Sequence, residues 1–394
     1  MKKFLLASVA TAALSGAAFA QESITLGVLL GFTGPAESLA PGMADGAELA
    51  MAEVTTSDAL LGGASVTSVR GDSACDAALS VAAAERLITA DSVNGIVGAL
   101  CSGATIPALT NVAIPNGMVM VSPSATSPAL STLEDNGIFF RTAPSDARQG
   151  VVMAENILDR GFDTVALTYT NNDYGRGLAD SFAAAFAELG GTVTLVAAHE
   201  DGRADYSAEV GSLAAAGGDV LVVAGYIDQG GPGIIRAALD TGAFDTFVLP
   251  DGMVGNAITD RFGTEINGSF GQFPGTDSEG AAIYFGLAEA AGFDGTSAFS
   301  AEAYDAAALI MLAMQVAGSS APRDYAQHIM DVANAPGEPI LPGELGRALE
   351  LIAAGTDIDY IGATAVELIG GGESSGAYRE IEIIDGAVQT VGFR

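Results

Sequence analysis

The residues with chemistry to offer gather in short loops that follow apolar runs. Cys101-Ser102-Gly103-Ala104-Thr105 and Ser122-Pro123-Ser124-Ala125-Thr126-Ser127-Pro128 are rich in hydroxyls, while Asn171-Asn172-Asp173-Tyr174-Gly175, Ala224-Gly225-Tyr226 and Pro250-Asp251-Gly252 carry two tyrosines and a carboxylate. A hydroxyl and the free N–H groups at a helix start can grip an anion. Ser102 is placed to do this, although capping the following helix explains it equally well, and the two roles are compatible. The Ser122–Pro128 run reads as a stiff polar loop, with a purely structural role as its plain alternative. Taken singly, each of the other three loops reads as a surface turn.

Two further candidates fail on spacing. Gly31-Phe32-Thr33-Gly34-Pro35 lacks the glycine pattern of a dinucleotide fingerprint. The chain has neither a GxSxG elbow nor an HExxH pair, and its two histidines, His199 and His328, have no identifiable partner. His199 in Ala198-His199-Glu200-Asp201 reads as a solvated strand end, and His328 as a residue on a helix face. Spacing leaves open whether two of the 48 carboxylates meet in a cleft as a glycosidase pair would. Two cysteines and two distant histidines make a poor zinc set, and no EF-hand spacing occurs, so neither a metal nor a cofactor is expected.

The elements that must position these loops are short apolar runs alternating with alanine-rich helical stretches. Strands are expected over 24–30, 65–70, 95–99 and 117–121, with helices near 42–54, 77–89 and 104–112. A second series follows, with strands at 164–169, 192–197, 220–224 and 246–249 and helices near 174–189, 206–216 and 231–241. Continuous apolar strands separated by helices indicate parallel sheets covered on both faces, here in two successive doubly wound units. The segments 123–137 and 139–145 lie between the series and read as structured hinges. Beyond Pro250 the chain returns to helix, near 277–291 and 298–317, and ends in a hairpin about Asp385-Gly386. In such a sheet, ligands sit beyond the carboxyl ends of strands. The tyrosines and Asp251 would therefore face the hydroxyl loops across a cleft.

Composition narrows the function. The 394 residues hold 15 Lys+Arg against 48 Asp+Glu, a net charge of -33. Both lysines, Lys2 and Lys3, stand at the N-terminus, which leaves 13 arginines elsewhere. A P-loop lysine, a Schiff-base lysine and a basic face for nucleic acid are thereby excluded. With 49% hydrophobic and 16% charged residues, the chain has ample material for a core.

The opening MKKFLLASVATAALSGAAFA combines a basic start, a short apolar run and Ala18-Phe19-Ala20, the pattern of a secretory signal peptide cleaved after Ala20. The run is too short to span a bilayer, and no cysteine follows it for lipid attachment. In an exported chain the single pair, Cys75 and Cys101, reads as a disulfide, against the alternative of two unrelated buried thiols. Closing that loop is worth ~3 kcal/mol in the loop-entropy model.

In order and spacing, these motifs resemble the periplasmic leucine/isoleucine/valine-binding protein family, the type I substrate-binding proteins of ABC importers. The likeness rests on the cysteine beside Asp76 with its mate at Cys101-Ser102, on Ser122–Pro128, on Tyr174-Gly175-Arg176-Gly177-Leu178, and on Gly225-Tyr226 followed by Pro250-Asp251-Gly252. It spans essentially the whole chain after the leader. The resemblance implies two α/β lobes joined by three hinge crossovers, with lobe 1 at 21–143 and 274–362 and lobe 2 at 144–273 and 363–394. It also implies ligand roles. Ser102 and Thr126 would take an α-carboxylate, the Ser124 carbonyl and Asp251 would hold an α-ammonium, Tyr174 and Tyr226 would close over the ligand, and Phe299 would pack on its side chain.

Three features depart from the family pattern. Asp251 stands where a glutamate is usual, Leu39 falls near a customary aromatic, and extra sequence occupies about 340–360. The reading is a monomeric, non-enzymatic periplasmic protein that captures a small amino acid, most simply leucine, isoleucine or valine, for a membrane ABC permease. The rival readings are the same trap for an amide, urea or an aromatic acid, a ligand-sensing receptor module, and a secreted enzyme.

Overall fold

The structure is a computed structural model that describes residues 23–394. The expected leader and its cleavage point lie outside the described residues.

Two seven-stranded sheets dominate. The first comprises β1 (Ser23–Leu30), β2 (Ser65–Asp72), β3 (Gly95–Gly98), β4 (Met120–Ser122) and β5 (Phe139–Pro144). The second begins with β6 (Thr164–Thr170), β7 (Thr192–His199), β8 (Val220–Ala224), β9 (Phe247–Leu249) and β10 (Phe270–Pro274). A small parallel pair, β11 (Glu338–Ile340) and β12 (Ile358–Tyr360), stands apart. The chain then adds β13 (Leu368–Ile369) and β14 (Glu373–Ser374) to the first sheet, and β15 (Tyr378–Ile384) and β16 (Ala387–Phe393) to the second. The orders are β13-β14-β5-β4-β3-β1-β2 and β16-β15-β10-β9-β8-β6-β7. Strands β1 to β5 pair in parallel, as do β6 to β10, and antiparallel pairing is confined to one edge of each sheet.

The central strands are continuous apolar runs because helices cover both faces. Val220–Ala224, VLVVA, is buried along its whole length. Helix Ser300–Ala317 packs on helix Ala40–Ser57, and all but Ala301 of its first fifteen residues are buried, so it is apolar all round rather than amphipathic. Within it, Asp305 accepts hydrogen bonds from the Tyr360 hydroxyl (2.7 Å), the Ala363 and Thr364 N–H groups (2.8 Å each) and the Thr364 hydroxyl (2.7 Å). This tether fixes the extra segment around 340–360 to the first lobe.

Some sequence expectations are corrected. The strand expected over 117–121 begins at Met120, because Gly117 takes the left-handed conformation (φ 63°) that ends the preceding helical turn. The 139–145 hinge is mostly strand: β5 is buried throughout, and only the residues just beyond Pro144 cross to the second lobe. Strand β10 was missed, since Gly271, Gln272 and Pro274 dilute its apolar pattern. The boundary expected at 362/363 is displaced, because β13 and β14 join the first sheet and the last crossing falls at 375–377, between β14 and β15. The terminal hairpin turns at Asp385 and Gly386, whose φ angles of 52° and 73° are those of a type I′ turn.

Candidate functional site

Each sheet reverses its strand order once among its first three strands. The chain runs from β1 out to β2 and returns to β3 on the other side of β1, and β6, β7 and β8 repeat the manoeuvre. Loops leaving the carboxyl ends of β1 and β3, and of β6 and β8, therefore diverge and open a crevice in each lobe. The Cys101–Thr105 loop follows β3 and the two tyrosines follow β6 and β8, while Ser122–Pro128 and Asp251 follow the neighbouring β4 and β9.

From the first lobe, Ser102 opens helix Ser102–Ala108, one residue after Cys101, which is bonded to Cys75 with Cα atoms 5.3 Å apart. Ser102 Oγ accepts the Ser127 N–H at 3.1 Å, which leaves its own proton free to donate. Ser124 Oγ donates to the Leu100 carbonyl (3.0 Å), and Ser122 Oγ donates to the Ala99 carbonyl (2.7 Å) while accepting the Ala125 N–H (2.9 Å). The two hydroxyl loops are thus stitched to one another. Arg141, 1% exposed on β5, donates to the carbonyls of Ala125 and Ser127 (3.0 Å each) and pairs with Glu373.

From the second lobe, the Asn172 side chain accepts the Gly175 N–H (3.0 Å) and starts helix Asp173–Glu188, which fixes Tyr174 in its first turn. The Tyr174 hydroxyl donates to Asp251 Oδ1 at 2.6 Å, and its ring stacks on Tyr226 with centroids 5.2 Å apart. Asp251 Oδ1 also accepts the Gly252 N–H (2.7 Å). Glycine is required next to it, since a Cβ at 252 would lie 2.9 Å from the Tyr174 oxygen and 2.7 Å from the Gly225 carbonyl.

Ser102, Ser124, Tyr174, Tyr226, Asp251 and Phe299 line one cavity of about 260 Å³, together with Leu39, Leu100, Cys101 and Gly252. Thr126 does not line it; its hydroxyl is buried beside Asp146. Phe299, just before helix Ser300–Ala317, has φ 64°, a left-handed conformation strained for an aromatic residue and held here by its burial. A larger groove of about 1020 Å³ shares Leu39 but is rimmed by exposed Asp260 and Asp294 and contains none of the expected site residues.

Two residues that the sequence did not flag stand behind Asp251. With its amide turned so that the NH₂ faces the carboxylates, Gln149 donates to Asp251 Oδ2 (3.2 Å) and Asp146 Oδ1 (2.9 Å) and accepts the Asp251 N–H (3.2 Å). All three side chains are buried. Burial raises Asp251 to about 6, although hydrogen bonds from Tyr174, Gly252 and Gln149 pull the other way. Burial, and then the charge of Asp251, push Asp146 well above the usual carboxylate range. Burial first, then nearby carboxylates, also raise Tyr174 and Tyr226, which stay protonated donors at neutral pH. No local motif announces Asp146 or Gln149; only folding brings them to Asp251.

His199 is not solvated. It is buried, its Nδ1 lies 2.8 Å from the Thr168 hydroxyl, and burial lowers it to about 4, because Gly225, Gly230 and the Tyr206 ring cover the end of β7.

Two lobes of doubly wound parallel sheet, each placing strand-end loops in a common cleft, define a two-lobed solute-binding protein. The family model for periplasmic binding proteins matches residues 23–337. Leu/Ile/Val-binding protein homolog 1 of Brucella melitensis is 31% identical over 336 residues, covering 83% of this chain and 88% of that protein. A leucine-, isoleucine-, valine-, threonine- and alanine-binding protein of Pseudomonas aeruginosa is 28% identical, covering 82% and 86%. Among solved structures, the branched-chain amino acid transporter substrate-binding protein LivJ of Streptococcus pneumoniae, in complex with isoleucine, superposes with a TM-score of 0.79 at 20% identity, covering 95% of this chain and 99% of that one. The chain belongs to the periplasmic leucine/isoleucine/valine-binding protein family.

Proposed function

We propose that this chain captures a branched-chain amino acid, leucine, isoleucine or valine, between its lobes and delivers it to a membrane ABC permease. The observation that carries the reading is the composition of the cavity wall. An unspent serine hydroxyl and a helix start from one lobe face a buried carboxylate and two phenols from the other, with Leu39, Leu100 and Phe299 as the apolar part. A zwitterion with a short aliphatic side chain matches that wall: its carboxylate meets Ser102, its ammonium meets Asp251 and the Ser124 carbonyl, Tyr174 and Tyr226 cover it, and Phe299 packs on its side chain. Thr126 contributes to the carboxylate end from just behind the wall. Closure follows from ligand contacts made by both lobes at once, which only the closed form satisfies.

Binding without turnover is the better reading of the paired carboxylates. Glycosidase chemistry needs both acids flanking the scissile bond, and here Asp251 lines the cavity while Asp146 does not. The protein acts as a periplasmic monomer after cleavage following Ala20, supported by the leader pattern and the family's compartment.

The test is a thermal-shift panel on the chain from Gln21 with aliphatic and other amino acids, short amides, urea and aromatic acids. A ligand at about 1,000 times its Kd stabilises by about 4 kcal/mol, a shift of a few degrees. A shift confined to aliphatic amino acids supports the reading. A shift with amides or aromatic acids alone keeps the trap and overturns the ammonium role of Asp251.

A further inference from the structure

Asp146 is the first residue of helix Asp146–Asp159, where the chain enters the second lobe. Its carboxylate is fully buried beside a second carboxylate, and one amide, Gln149, donates to both. Two such groups cannot both ionise without large cost in a dry interior. Their donors are unequal. Asp251 receives the Tyr174 O–H and Gly252 N–H on one oxygen and Gln149 on the other, whereas Asp146 receives Gln149 on Oδ1, has the Thr126 hydroxyl beside it, and its Oδ2 has no partner of good geometry. The donors favour the negative charge on Asp251 and the proton on Asp146.

The Asp146 carboxyl sits beside the Thr126 hydroxyl, itself buried with no partner of good geometry, and the Asp146 N–H donates to the Thr126 carbonyl (2.8 Å). An ionised Asp146 would draw the Thr126 proton to itself. A protonated one donates to Thr126 Oγ1, which gives both buried groups a partner. The charged and titratable groups around the pair are Arg141 on β5, already paired with Glu373, Tyr174 and Tyr226 of the same lobe, and Tyr378 on β15, near Arg148.

We propose that Asp146 is a positioning residue that works as a neutral acid: it keeps the Asp146–Gln149–Asp251 unit at a single negative charge, matched to one ammonium group. This rests on the amino-acid reading of the cavity. It differs from a second cation-binding carboxylate, which would favour a dication. The strong rise of Asp146 above the usual carboxylate range agrees with it.

The experiment has two arms. Infrared difference spectroscopy of the ligand-free protein at pH 7 compares wild type with Asp146→Asn and Asp251→Asn. Loss of a protonated-carboxyl C=O band in Asp146→Asn supports the assignment, and no loss overturns it, whether or not any amino acid binds. Calorimetric titration with leucine, isoleucine and valine then compares the same proteins with Asp146→Ala. Affinity in Asp146→Asn within about threefold of wild type, with at least a tenfold loss in Asp146→Ala and about a hundredfold in Asp251→Asn, is expected, since the amide replaces the neutral acid and only Asp251 carries charge. An Asp146→Asn loss as large as that of Asp251→Asn overturns the proposal. Should Asp146→Asn fail to fold, the wild-type spectrum decides: a protonated-carboxyl band that perturbs on adding ligand supports the proposal, and a spectrum without one overturns it. Absence of binding in every protein defeats the amino-acid reading but leaves the infrared result standing.

Discussion

Tyr174 donates its phenolic proton to Asp251 across 2.6 Å, so the carboxylate in the cavity wall is held by a side chain from a different strand end of the same lobe. Removing that donor strips a charge-assisted hydrogen bond from a buried anion, worth about 1.5–3 kcal/mol. Tyr174→Phe is therefore expected to weaken leucine, isoleucine or valine binding about 10- to 100-fold with the ring stack on Tyr226 retained. Calorimetry on the variant checks the loss, and unchanged affinity would show that the bond does not support the site.

The ammonium needs Asp251 ionised, and burial raises Asp251 from 3.8 to about 6. Amino-acid affinity is thus expected to be about tenfold weaker at pH 5, where only a minor fraction of the empty protein is competent, than at pH 7. In the empty protein the sign is opposite. A group whose folded value lies above its unfolded one contributes stability that is full below pH 3.8 and lost as pH rises through about 6. Paired calorimetric titrations and melting curves across pH 4–7 check both; affinity flat across this range would remove Asp251 from the cation's shell.

Phe299 holds φ 64° inside the cavity wall. Glycine adopts this conformation freely and alanine does not, so Phe299→Gly is expected to be as stable as Phe299→Ala or up to about 1 kcal/mol more so, the reverse of the usual order. Both lose the packing surface offered to the ligand. Denaturant melts of the two variants give the order directly.

Arg141 ties down the loop that carries Ser124 and Thr126 through the Ala125 and Ser127 carbonyls. Arg141→Met leaves those carbonyls and the Glu373 carboxylate without their donor. Glu373 is partly exposed and recovers some hydration, so a loss of about 2–4 kcal/mol is expected rather than the full cost of a buried orphan charge. Ligand affinity should fall with it, which a melt and a titration on one sample test together.

The disulfide links Cys75 to a residue of the cavity wall, Cys101. Cys75→Ala with Cys101→Ala is expected to lower stability by about 3 kcal/mol, from the 26-residue separation that the bridge closes. Melting with and without reductant should place reduced wild type beside the double variant; coincidence of oxidised and reduced curves would mean the bond does not constrain the unfolded chain.

The parallel sheets were legible because a strand buried on both faces must be apolar throughout, and runs such as Val220–Ala224 have no other use. Loops after those strands were legible as site candidates for the same reason: strand ends are where a doubly wound sheet exposes polar backbone. Ser102, Ser124, Tyr174, Tyr226 and Asp251 could be named in advance because their strand-end loops together match a family pattern, and Phe299 was named from that resemblance alone. Strand β10 and the β13–β14 pair were not legible, since edge and mixed strands take their identity from neighbours rather than from their own pattern. His199 was misread because burial depends on what covers a strand end, which composition does not record. Sequence by itself thus determined the sheets, their order of appearance and the chemistry at their ends. Tertiary structure alone decided that Gln149 bridges Asp146 and Asp251, that Arg141 braces the hydroxyl loop, and where the last crossing falls. The physical reason is that burial and hydrogen bonding act over a few ångströms in space, between residues whose separation along the chain carries no trace of their contact.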